Sequence, residues 1–516
     1  MTEIIELASA SSMELQYPYL LIASLILLLS ILFNVATKTS TDKLPPGPRK
    51  LPLIGNLLCL VGSVPHRALA DLAKKHGPLM HLQLGEISAI VVSTPQMAKE
   101  VLKTHDIAFA NRQELLATRI ILYDNTDVVF APYGSYWRQM RRICTLELLT
   151  AKKVRSFRSI REEEVWHLTE SIQSSLGTTI NLTEKLHSLL NVIICRAAFG
   201  KRCKDQDVFI QLIKESARLA GGFDVSDLFP SKKFLHVLTG LRPKLLRIHH
   251  KVDNILDNII SERREILAST KKGNTDHKEE EDLLDVLLRL QESSGLEVPI
   301  SSDNVKAVIM DMFAAGTETS STTIEWAMAE MIRNPRVMEK AQTEVRQALK
   351  QKKTIGETDI QELSYLKLVI KETLRLHTPL PLLVPRECRE ERKIGGYNIP
   401  TKTKVIVNAW AMARDPDYWH NAESFIPERF EKSPLDFTGT KLEYIPFGAG
   451  RRMCPGVSLG LANVELPLAA LLYHFNWKLP SGLKAEDLDM TEKVGATAGR
   501  NQNLNLIAYS PSYDLS

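Results

Sequence analysis

A glycine-rich segment near the C-terminus, PFGAGRRMCPG at residues 446–456, surrounds one cysteine with residues that suit reactive chemistry. Cys454 precedes Pro455 and an apolar run typical of a helix, and proline is favoured at the first helical position. The free N–H groups and the dipole of a helix N-terminus lower the pKa of a thiol. Glycines let the backbone approach a large flat ligand, and Arg452 suits an anionic group.

A thiolate beside a cation, on a loop opened by glycines, predicts an axial ligand to haem iron with Arg452 on a haem propionate. Three other interpretations of the segment stay open on its residues alone. FGAG is similar to part of a phosphate loop, although no Gly-Lys-Ser/Thr sequence follows. Cys454 would suit a nucleophile, although no nearby pattern supplies a base. A packed structural loop is the third.

The segment resembles the cysteine signature of the cytochrome P450 superfamily of haem-thiolate monooxygenases, FGxGxRxCxG. Every fixed position is filled, by Phe447, Gly448, Gly450, Arg452, Cys454 and Gly456. The resemblance covers essentially the whole chain. It implies a mostly α fold with a small β part and a long central oxygen-binding helix, preceded by one transmembrane helix. It also implies haem b as cofactor, with Cys454 as the iron ligand.

The sequence AGTETS at residues 315–320 resembles the oxygen-activation motif of the central helix in this family. The resemblance implies that Thr319 and Glu318 are catalytic, as a hydrogen-bond donor and a source of protons. Gly316 and the consecutive hydroxyl residues weaken helical hydrogen bonding, which favours a local widening that leaves room for a ligand. A polar stretch on a solvated helix is the alternative.

Further motifs bear on haem binding and on the scaffold. WRQMR at residues 137–141 resembles a haem-propionate motif, which implies that Trp137 and Arg141 contact a propionate, and Arg386 matches another propionate-binding arginine. Glu372 and Arg375, at i and i+3, share one helix face. With Arg429 in PERF they resemble the buried network of the family, which implies a structural role. Taken alone, a surface ion pair or an amphipathic interface would explain these short motifs.

The bulk properties of the 516 residues fit a large globular enzyme. Hydrophobic residues make up 44% and charged residues 24% of the chain, and the net charge is +4. No zinc-finger spacing or long basic run predicts nucleic-acid binding. None of the six cysteines forms a CxxC pair, which favours free thiols in a reducing compartment. Alternation in HLQLGEISAIVVS predicts a small sheet, and long helices are predicted over residues 304–333, 359–377 and 457–474.

The N-terminal region predicts a membrane anchor. Residues 15–37 carry no charge, and about 20 apolar residues span a bilayer. Acidic residues precede this stretch and basic residues follow it, which predicts a lumenal N-terminus and a cytosolic body. The anchor, LPPGPRKLPLIGN and DMFAAGTETSSTT resemble plant members of the endoplasmic reticulum, which implies that membrane. A cleaved signal peptide is the alternative. We therefore expect a dispensable stretch (with Met13 as an alternative start), a transmembrane anchor, a Pro-rich linker and the catalytic domain, at residues 1–12, 13–37, 38–50 and 51–516.

The resemblance implies monooxygenation with O2 and electrons from NADPH. No nicotinamide or flavin motif is present in the sequence, so the electrons are expected from a separate NADPH–cytochrome P450 reductase. The candidate docking residues are basic and follow Trp137 in the chain: Arg138, Arg142, Lys152, Lys153 and Arg155. Membrane lipid and a small apolar substrate are the other expected partners, and no nucleic acid is expected.

Several segments, among them LVIKETLRLHTPLPLLVPRECRE, resemble plant members that oxidise terpene hydrocarbons, which implies a sesquiterpene or diterpene substrate. Phenolic, flavonoid or alkaloid oxidation is the alternative. A haem-thiolate isomerase or dehydratase is disfavoured by Thr319 with Glu318, and a haem sensor stays open. Thr378 stands where relatives have proline, which puts the pocket near residues 380–384 in doubt. The candidate pocket segments are mostly apolar: residues 120–122, Val308, Met312, Ala315, 382–384 and 496–498.

Overall fold

The computed structural model describes residues 24–25, 44–202, 206–221, 225–232, 239–272, 281–350, 352–480 and 482–511. Within these residues the chain is mostly helical with small sheets, as the sequence predicts. The α-helices are α1 Pro65–His76, α2 Pro95–Lys99, α3 Leu116–Ile121, α4 Ser135–Ile143, α5 Ala151–Ser156, α6 Arg158–Gln173, α7 Leu182–Phe199, α8 Gln206–Leu219, α9 Val225–Leu228, α10 Leu241–Lys272, α11 Leu283–Glu292, α12 Ser302–Arg333, α13 Pro335–Ala348, α14 Ser364–Leu376, α15 Ala409–Met412 and α16 Val457–His474.

The strands form small sheets at the edge of the helices. They are β1 Leu79–Leu84, β2 Ile87–Val92, β3 Thr179–Asn181, β4 Arg386–Glu387, β5 Arg392–Ile394, β6 Tyr397–Ile399, β7 Lys404–Val407, β8 Asn476–Lys478 and β9 Asn505–Tyr509. One sheet has the order β1-β2-β7-β4, in which β2 and β7 run parallel and the other pairs antiparallel. The β1–β2 hairpin confirms the predicted sheet over HLQLGEISAIVVS. Strands β3, β9 and β8 form a second sheet, and β5 pairs with β6.

Helix α12 runs through the middle of the molecule, and its ends are set by local sequence signals. Ser301 caps its N-terminus in a capping box with Asn304, which satisfies free backbone N–H groups. Asn334 ends the helix, and Pro335 begins α13. The predicted helix over residues 304–333 is therefore confirmed. Most of α12 is buried against α7, α14 and α16, so that its side chains face both the core and the site.

The start of α14 differs from its prediction, whereas its end agrees with the expected termination. Helix α14 begins at Ser364, later than predicted, because residues 357–362 form turns. It ends at Leu376, and the Thr378 hydroxyl donates to the carbonyl of Leu374 at 2.8 Å. Helix termination thus survives the replacement of proline by Thr378, as expected.

Helix α16 spans Val457–His474 as predicted, and it belongs to the core. Among the described residues it is the one helix long and apolar enough to cross a bilayer, and 61% of that stretch is buried inside the protein. Its apolar residues, among them Leu466 and Leu468, pack with α12, α13 and α14 in one large hydrophobic cluster. Core packing therefore accounts for its composition.

The predicted N-terminal segments fall largely outside the described residues. This holds for residues 1–12, for the anchor at 13–37 apart from Ser24 and Leu25, and for the first part of the linker. The described part of the linker, from Leu44, lies against the body of the protein: the Pro46 carbonyl accepts the His81 N–H of β1 at 2.8 Å. A Cβ at Gly47 would lie 2.0 Å from the His81 carbonyl oxygen, so only glycine permits this approach.

The structure brings Glu372, Arg375 and Arg429 together in one buried network. Arg375 donates to both carboxylate oxygens of Glu372, at 2.8 and 2.9 Å, and both side chains are fully buried. Arg429 adds a third bond to Glu372 at 3.0 Å. The remaining Arg375 N–H groups donate to backbone carbonyls of Ala413, Ala422 and Ser424. The network therefore ties α14 to the segment that precedes the Cys454 loop.

We expect Glu372→Ala to lower the free energy of unfolding by about 3–5 kcal/mol, because it leaves the buried Arg375 charge without its partner. The exposed Glu362, just before the same helix, provides the matched control, and Glu362→Ala should change stability by no more than about 0.5 kcal/mol. The midpoint of thermal unfolding of both variants would measure this. Equal midpoints for the two variants would contradict a scaffolding role for the network.

Candidate functional site

A cavity lies between α12 and the Cys454 segment. The space open to the centres of water molecules within it is about 280 Å³. Its lining is mostly apolar, with arginines concentrated in one part. Ala315, in the middle of the central helix, is exposed only because it faces this cavity. The predicted site residues that line it are Cys454, Arg452, Arg386, Arg141, Trp137 and Thr319.

The loop that carries Cys454 is shaped by glycines at positive φ. Gly448 and Gly450 have φ of 73° and 72°. A Cβ at Gly450 would lie 2.2 Å from the carbonyl oxygen of Leu102, so glycine is required there by close packing as well as by conformation. The Cys454 N–H donates to the Phe447 carbonyl at 3.0 Å, which closes the loop and leaves the thiol facing the cavity.

The expectation that Pro455 occupies the first helical position is wrong. Helix α16 starts at Val457 with Gly456 as its N-cap, so Cys454 lies two residues before the cap. The Gly456 N–H still points at the sulfur, at 3.3 Å from Sγ. The helix terminus therefore contributes to the site through this one N–H.

Cys454 is open to the cavity, but the protein that encloses the cavity shields the thiol from solvent. This desolvation raises the pKa of the thiol, contrary to the expected lowering, and outweighs the opposing effects of the Gly456 N–H and Arg141. A buried thiolate needs a compensating positive charge. A metal ion supplies such a charge and deprotonates a coordinating thiol outright. The site therefore suits metal ligation better than it suits a free nucleophilic thiolate.

Arg452 and Arg386 are held beside the cavity by backbone carbonyl groups. Arg452 donates to the carbonyls of Ala110 at 2.8 Å and Ala131 at 2.5 Å. Arg386 donates to Asp106 at 2.6 Å and to the Ala449 carbonyl at 2.8 Å. Burial, together with repulsion from Arg386, lowers the pKa of Arg452 to about 9. Positive charge at this place is costly without an anion.

Arg112 belongs to the same group and was missed by the sequence analysis. It is buried, lines the cavity and donates to the carbonyls of Val129 at 2.9 Å and Pro385 at 2.8 Å. Burial and the neighbouring arginines hold its pKa well below its usual range. The only sequence signal is weak: an arginine soon after the buried apolar run at residues 108–110.

Arg141 completes the group, and its guanidinium has no hydrogen-bond partner among the residues that the structure describes. Burial lowers its pKa, and Cys454 is the largest of the nearby groups that favour its charge. The arginines at 112, 141, 386 and 452 face few acids. Asp106 pairs with Arg386 and Asp127 lies near Arg112 and Arg452, while Asp311 is the one carboxyl group among the described residues that lines the cavity. This surplus of positive charge fits a ligand that carries two carboxylates, as haem b does.

Trp137 lies against this group but does not offer its N–H to the cavity. Its indole Nε1 donates to the Val128 carbonyl at 2.9 Å, and the Arg452 guanidinium lies 4.2 Å above its ring. Cation–π contact of this kind favours the charged arginine. Trp137 therefore contacts the arginine that faces the cavity.

The two residues expected to be catalytic lie on different faces of α12. Thr319 lines the cavity, and its hydroxyl donates to the Ala315 carbonyl at 2.6 Å. Glu318 is absent from the lining and lies 3.3 Å from Lys493, partly exposed. The hydroxyls do compete for carbonyls as expected, yet the helix stays α-helical throughout. A Cβ at Gly316 would meet Ile194 at 2.8 Å, so this glycine permits close packing with α7.

The candidate pocket segments are only partly correct. Met312, Ala315, Leu383 and Val384 line the cavity. The others are not part of its lining: Ile120, Ile121, Leu122 and Val308 pack in a hydrophobic core cluster, and Leu382 packs under the first sheet. Residues 496–498 adjoin the lining, since the Ala498 N–H donates to the carbonyl of Pro379, which does line the cavity. Apolar side chains in a core and in a cavity wall have the same sequence pattern, which explains the error.

We expect Gly450→Ala to reduce stability and haem content far more than Gly62→Ala. Both residues have positive φ, which costs an alanine about 1–2 kcal/mol. A Cβ at Gly62 meets nothing within 4 Å, whereas one at Gly450 overlaps the Leu102 carbonyl. Thermal midpoints and the haem-to-protein absorbance ratio of the two variants would measure the difference. Similar values for both would mean that the close approach is not what fixes the loop.

Comparison with known proteins agrees with this geometry. The cytochrome P450 family model matches residues 45–504. Premnaspirodiene oxygenase of Hyoscyamus muticus is 59% identical over 95% of this chain and 99% of its own. Germacrene A hydroxylase of Barnadesia spinosa is 59% identical over 92% of this chain and 95% of its own. Desmethyl-deoxy-podophyllotoxin synthase of Sinopodophyllum hexandrum is 57% identical over 94% of this chain and 95% of its own.

A zebrafish cytochrome P450 solved with abiraterone has the same fold, with a TM-score of 0.73 at 26% identity over 87% of this chain and 99% of its own. The family model extends across the first sheet, the central helix and the Cys454 loop. The chain belongs to the cytochrome P450 family and is a P450 monooxygenase.

Proposed function

We propose that this P450 binds haem b through Cys454 and hydroxylates an apolar plant terpenoid, a sesquiterpene or a diterpene. The observation that carries the proposal is one cavity with a cysteine thiol, a surplus of arginine charge and otherwise mostly apolar walls. Arg452, Arg386 and Arg141, with Arg112 and with Trp137 behind Arg452, would hold the two propionates. When bound, haem supplies the activation of dioxygen.

Thr319 is proposed to orient a proton donor in the cavity through a hydrogen bond, and Glu318 is proposed to supply the proton. The Thr319 hydroxyl donates its hydrogen bond to the Ala315 carbonyl oxygen, so the lone pairs of Oγ1 can accept a hydrogen bond from water in the cavity. Glu318, partly exposed beside Lys493, can exchange protons with solvent from the next position on the same helix. Threonine thus orients a proton that the glutamate replenishes.

The apolar walls support a hydrocarbon substrate. Met312, Ala315, Leu383 and Val384 offer no hydrogen bonds through their side chains, so a terpene is desolvated there without loss. Two relatives are named after premnaspirodiene and germacrene A, which are sesquiterpene hydrocarbons. The relative named desmethyl-deoxy-podophyllotoxin synthase favours a second candidate, a phenolic substrate of the lignan type.

Electrons are proposed to come from NADPH through a separate cytochrome P450 reductase at the endoplasmic reticulum membrane. Arg138, Arg142, Lys152 and Arg155 are exposed, which suits an acidic partner. Lys153 is less available, because it donates to the Glu281 carbonyl. We further propose that residues 13–37 anchor the chain with its N-terminus in the lumen and its catalytic domain in the cytosol.

Product profiling tests the substrate. Microsomes with this chain and a plant reductase are supplied with sesquiterpene olefins, abietane-type diterpene olefins and lignan phenols. We expect NADPH-dependent products heavier by oxygen from a terpene. Cys454→Ala, with the same protein level, should lose the thiolate–CO absorption and the product together. Oxidation of the lignan phenols alone would overturn the terpenoid proposal and leave the haem proposal standing.

We expect Thr319→Ala to keep the thiolate–CO absorption but to divert electrons from product to peroxide, because the proton at the cavity is no longer oriented. The expected fall in product formed per NADPH consumed is about 10²-fold or less, the lower range for loss of one proton-transfer group. The neighbouring variant Thr323→Ala is the control, since its hydroxyl also donates within the helix, to the Thr319 carbonyl. Equal amounts of product per NADPH consumed in the two variants would argue against the role of Thr319.

A further inference from the structure

Two aspartates from distant parts of the chain meet beside the cavity. Asp127 lies in the loop before α4 and Asp311 in α12, and their side chains are buried, with 0% and 7% exposure. Asp311 Oδ2 accepts the Val128 N–H at 2.7 Å, and Asp127 Oδ2 accepts the Phe130 N–H at 2.7 Å. The two carboxyl groups are within hydrogen-bonding distance of each other.

One oxygen of this pair lacks a conventional donor. Asp127 Oδ1 is shielded from water, and no N–H or hydroxyl donor reaches it within the described residues. Two ionised carboxylates in contact cannot both persist in a buried place. A proton on Asp311 would let that carboxyl donate to Asp127 Oδ1 while its other oxygen still accepts from Val128.

The groups around the pair favour a single negative charge. Arg112 and Arg452 face it with positive charge. Tyr136 and Cys144 also face it, and burial raises the pKa of both, to about 12 for Cys144, so both are neutral at physiological pH. Burial raises the pKa of Asp127 to about 6 and that of Asp311 well above its usual range. These directions agree with one retained proton.

The loop that the aspartate pair holds, residues 127–131, carries backbone carbonyls that accept hydrogen bonds from Trp137 and from the arginines of the cavity. The Val128 carbonyl accepts from Trp137 at 2.9 Å, the Val129 carbonyl from Arg112 at 2.9 Å, and the Ala131 carbonyl from Arg452 at 2.5 Å.

The same loop is entered through Tyr123, Asp124 and Asn125, three consecutive residues with φ of 51° to 58°. Such backbone persists only where its surroundings hold it.

We propose that Asp127 and Asp311 share one proton, and that the resulting carboxyl–carboxylate hydrogen bond positions residues 127–131 and, through them, the arginines that face the haem propionates. Both aspartates are positioning residues and take no part in oxygen chemistry. The consequence for haem rests on the proposed function. The shared proton does not, because it follows from the burial and contacts of the pair.

The pH dependence follows from linkage. In the unfolded chain both aspartates are ionised above a pH of about 4, whereas the folded pair retains a proton. The folded-to-unfolded ratio therefore falls as the pH rises above about 4, by up to tenfold for each pH unit, until the folded pair ionises. Asp311→Asn keeps a donor to Asp127 and an acceptor for Val128 but has no proton to lose.

The experiment compares wild type, Asp311→Asn and Asp311→Leu, with the exposed Asp303→Asn on the same helix as control. Haem content and the thermal midpoint of the haem-loaded protein are measured from pH 5 to 8. We expect Asp311→Asn to retain haem and to become more stable relative to wild type as the pH rises. Asp311→Leu should lose haem, and Asp303→Asn should follow wild type.

A wild-type pH slope in Asp311→Asn would overturn the shared proton. Haem retention and midpoints like those of wild type in Asp311→Leu would overturn the positioning role. If Asp311→Leu does not fold, the comparison of Asp311→Asn with wild type still tests the shared proton, because it requires only that these two proteins fold. Failure of the wild type itself to bind haem would contradict the proposed function and not the shared proton.

Discussion

Four guanidinium groups lie around one cavity, buried on Arg112 and Arg386 and half-buried on Arg141 and Arg452, and the cost of keeping them charged there constrains what surrounds them. Carbonyl groups satisfy many of their N–H donors, but carbonyls carry no net charge and leave the desolvation penalty largely unopposed. A ligand with two carboxylates would offset the part of that penalty that Asp106 and the Asp127–Asp311 pair leave unopposed. The apolar part of the cavity lies next to this charge. The fold must therefore exclude water from the apolar part and bind an anion at the arginines.

The network around Glu372 provides a useful contrast, because it is closed. Both oxygens of Glu372 and the N–H groups of Arg375 have partners within the network, so nothing remains to bind a ligand. Arg141, by contrast, has no partner among the described residues. The Glu372 network and the cavity group both contain arginines. They differ in whether the N–H donors of those arginines already have partners within the protein. Because its hydrogen bonds are used up, this network does not compete with the cavity arginines for an anion.

The sequence predicts what depends on local spacing, and it misses what depends on burial. The Cys454 signature, the i, i+3 pair of Glu372 and Arg375, the β1–β2 hairpin and the long helix α12 are each encoded within a few turns of chain, and all were located. Arg112, Asp127 and Asp311 have no such signature, because their significance comes from partners more than a hundred residues away. The same limit explains the pocket errors. Val308 is as apolar as Met312 and Leu382 is as apolar as Leu383, and only the packing of α12 and the turn after α14 decides which residue of each pair faces the cavity. Gly316 shows the reverse case, in which the motif was found but the reason for its glycine lies on α7.

The hydroxyl groups in the cavity bear on how far an oxidation would proceed. Thr319 and Thr323 both donate to backbone carbonyls of their own helix, so their hydrogens are not free for a ligand. A hydrocarbon loses nothing beside these threonines, whereas the alcohol made from it would bury a hydroxyl that finds a donor only by reaching Ser320 or the arginines elsewhere in the lining. An unsatisfied buried polar group costs about 1–3 kcal/mol, which corresponds to a five- to 150-fold weaker hold on the product. For the proposed terpene substrate, these walls would therefore favour release of the alcohol after one oxidation, and a second oxidation would require the product to reach a lone pair such as that on Thr319 Oγ1.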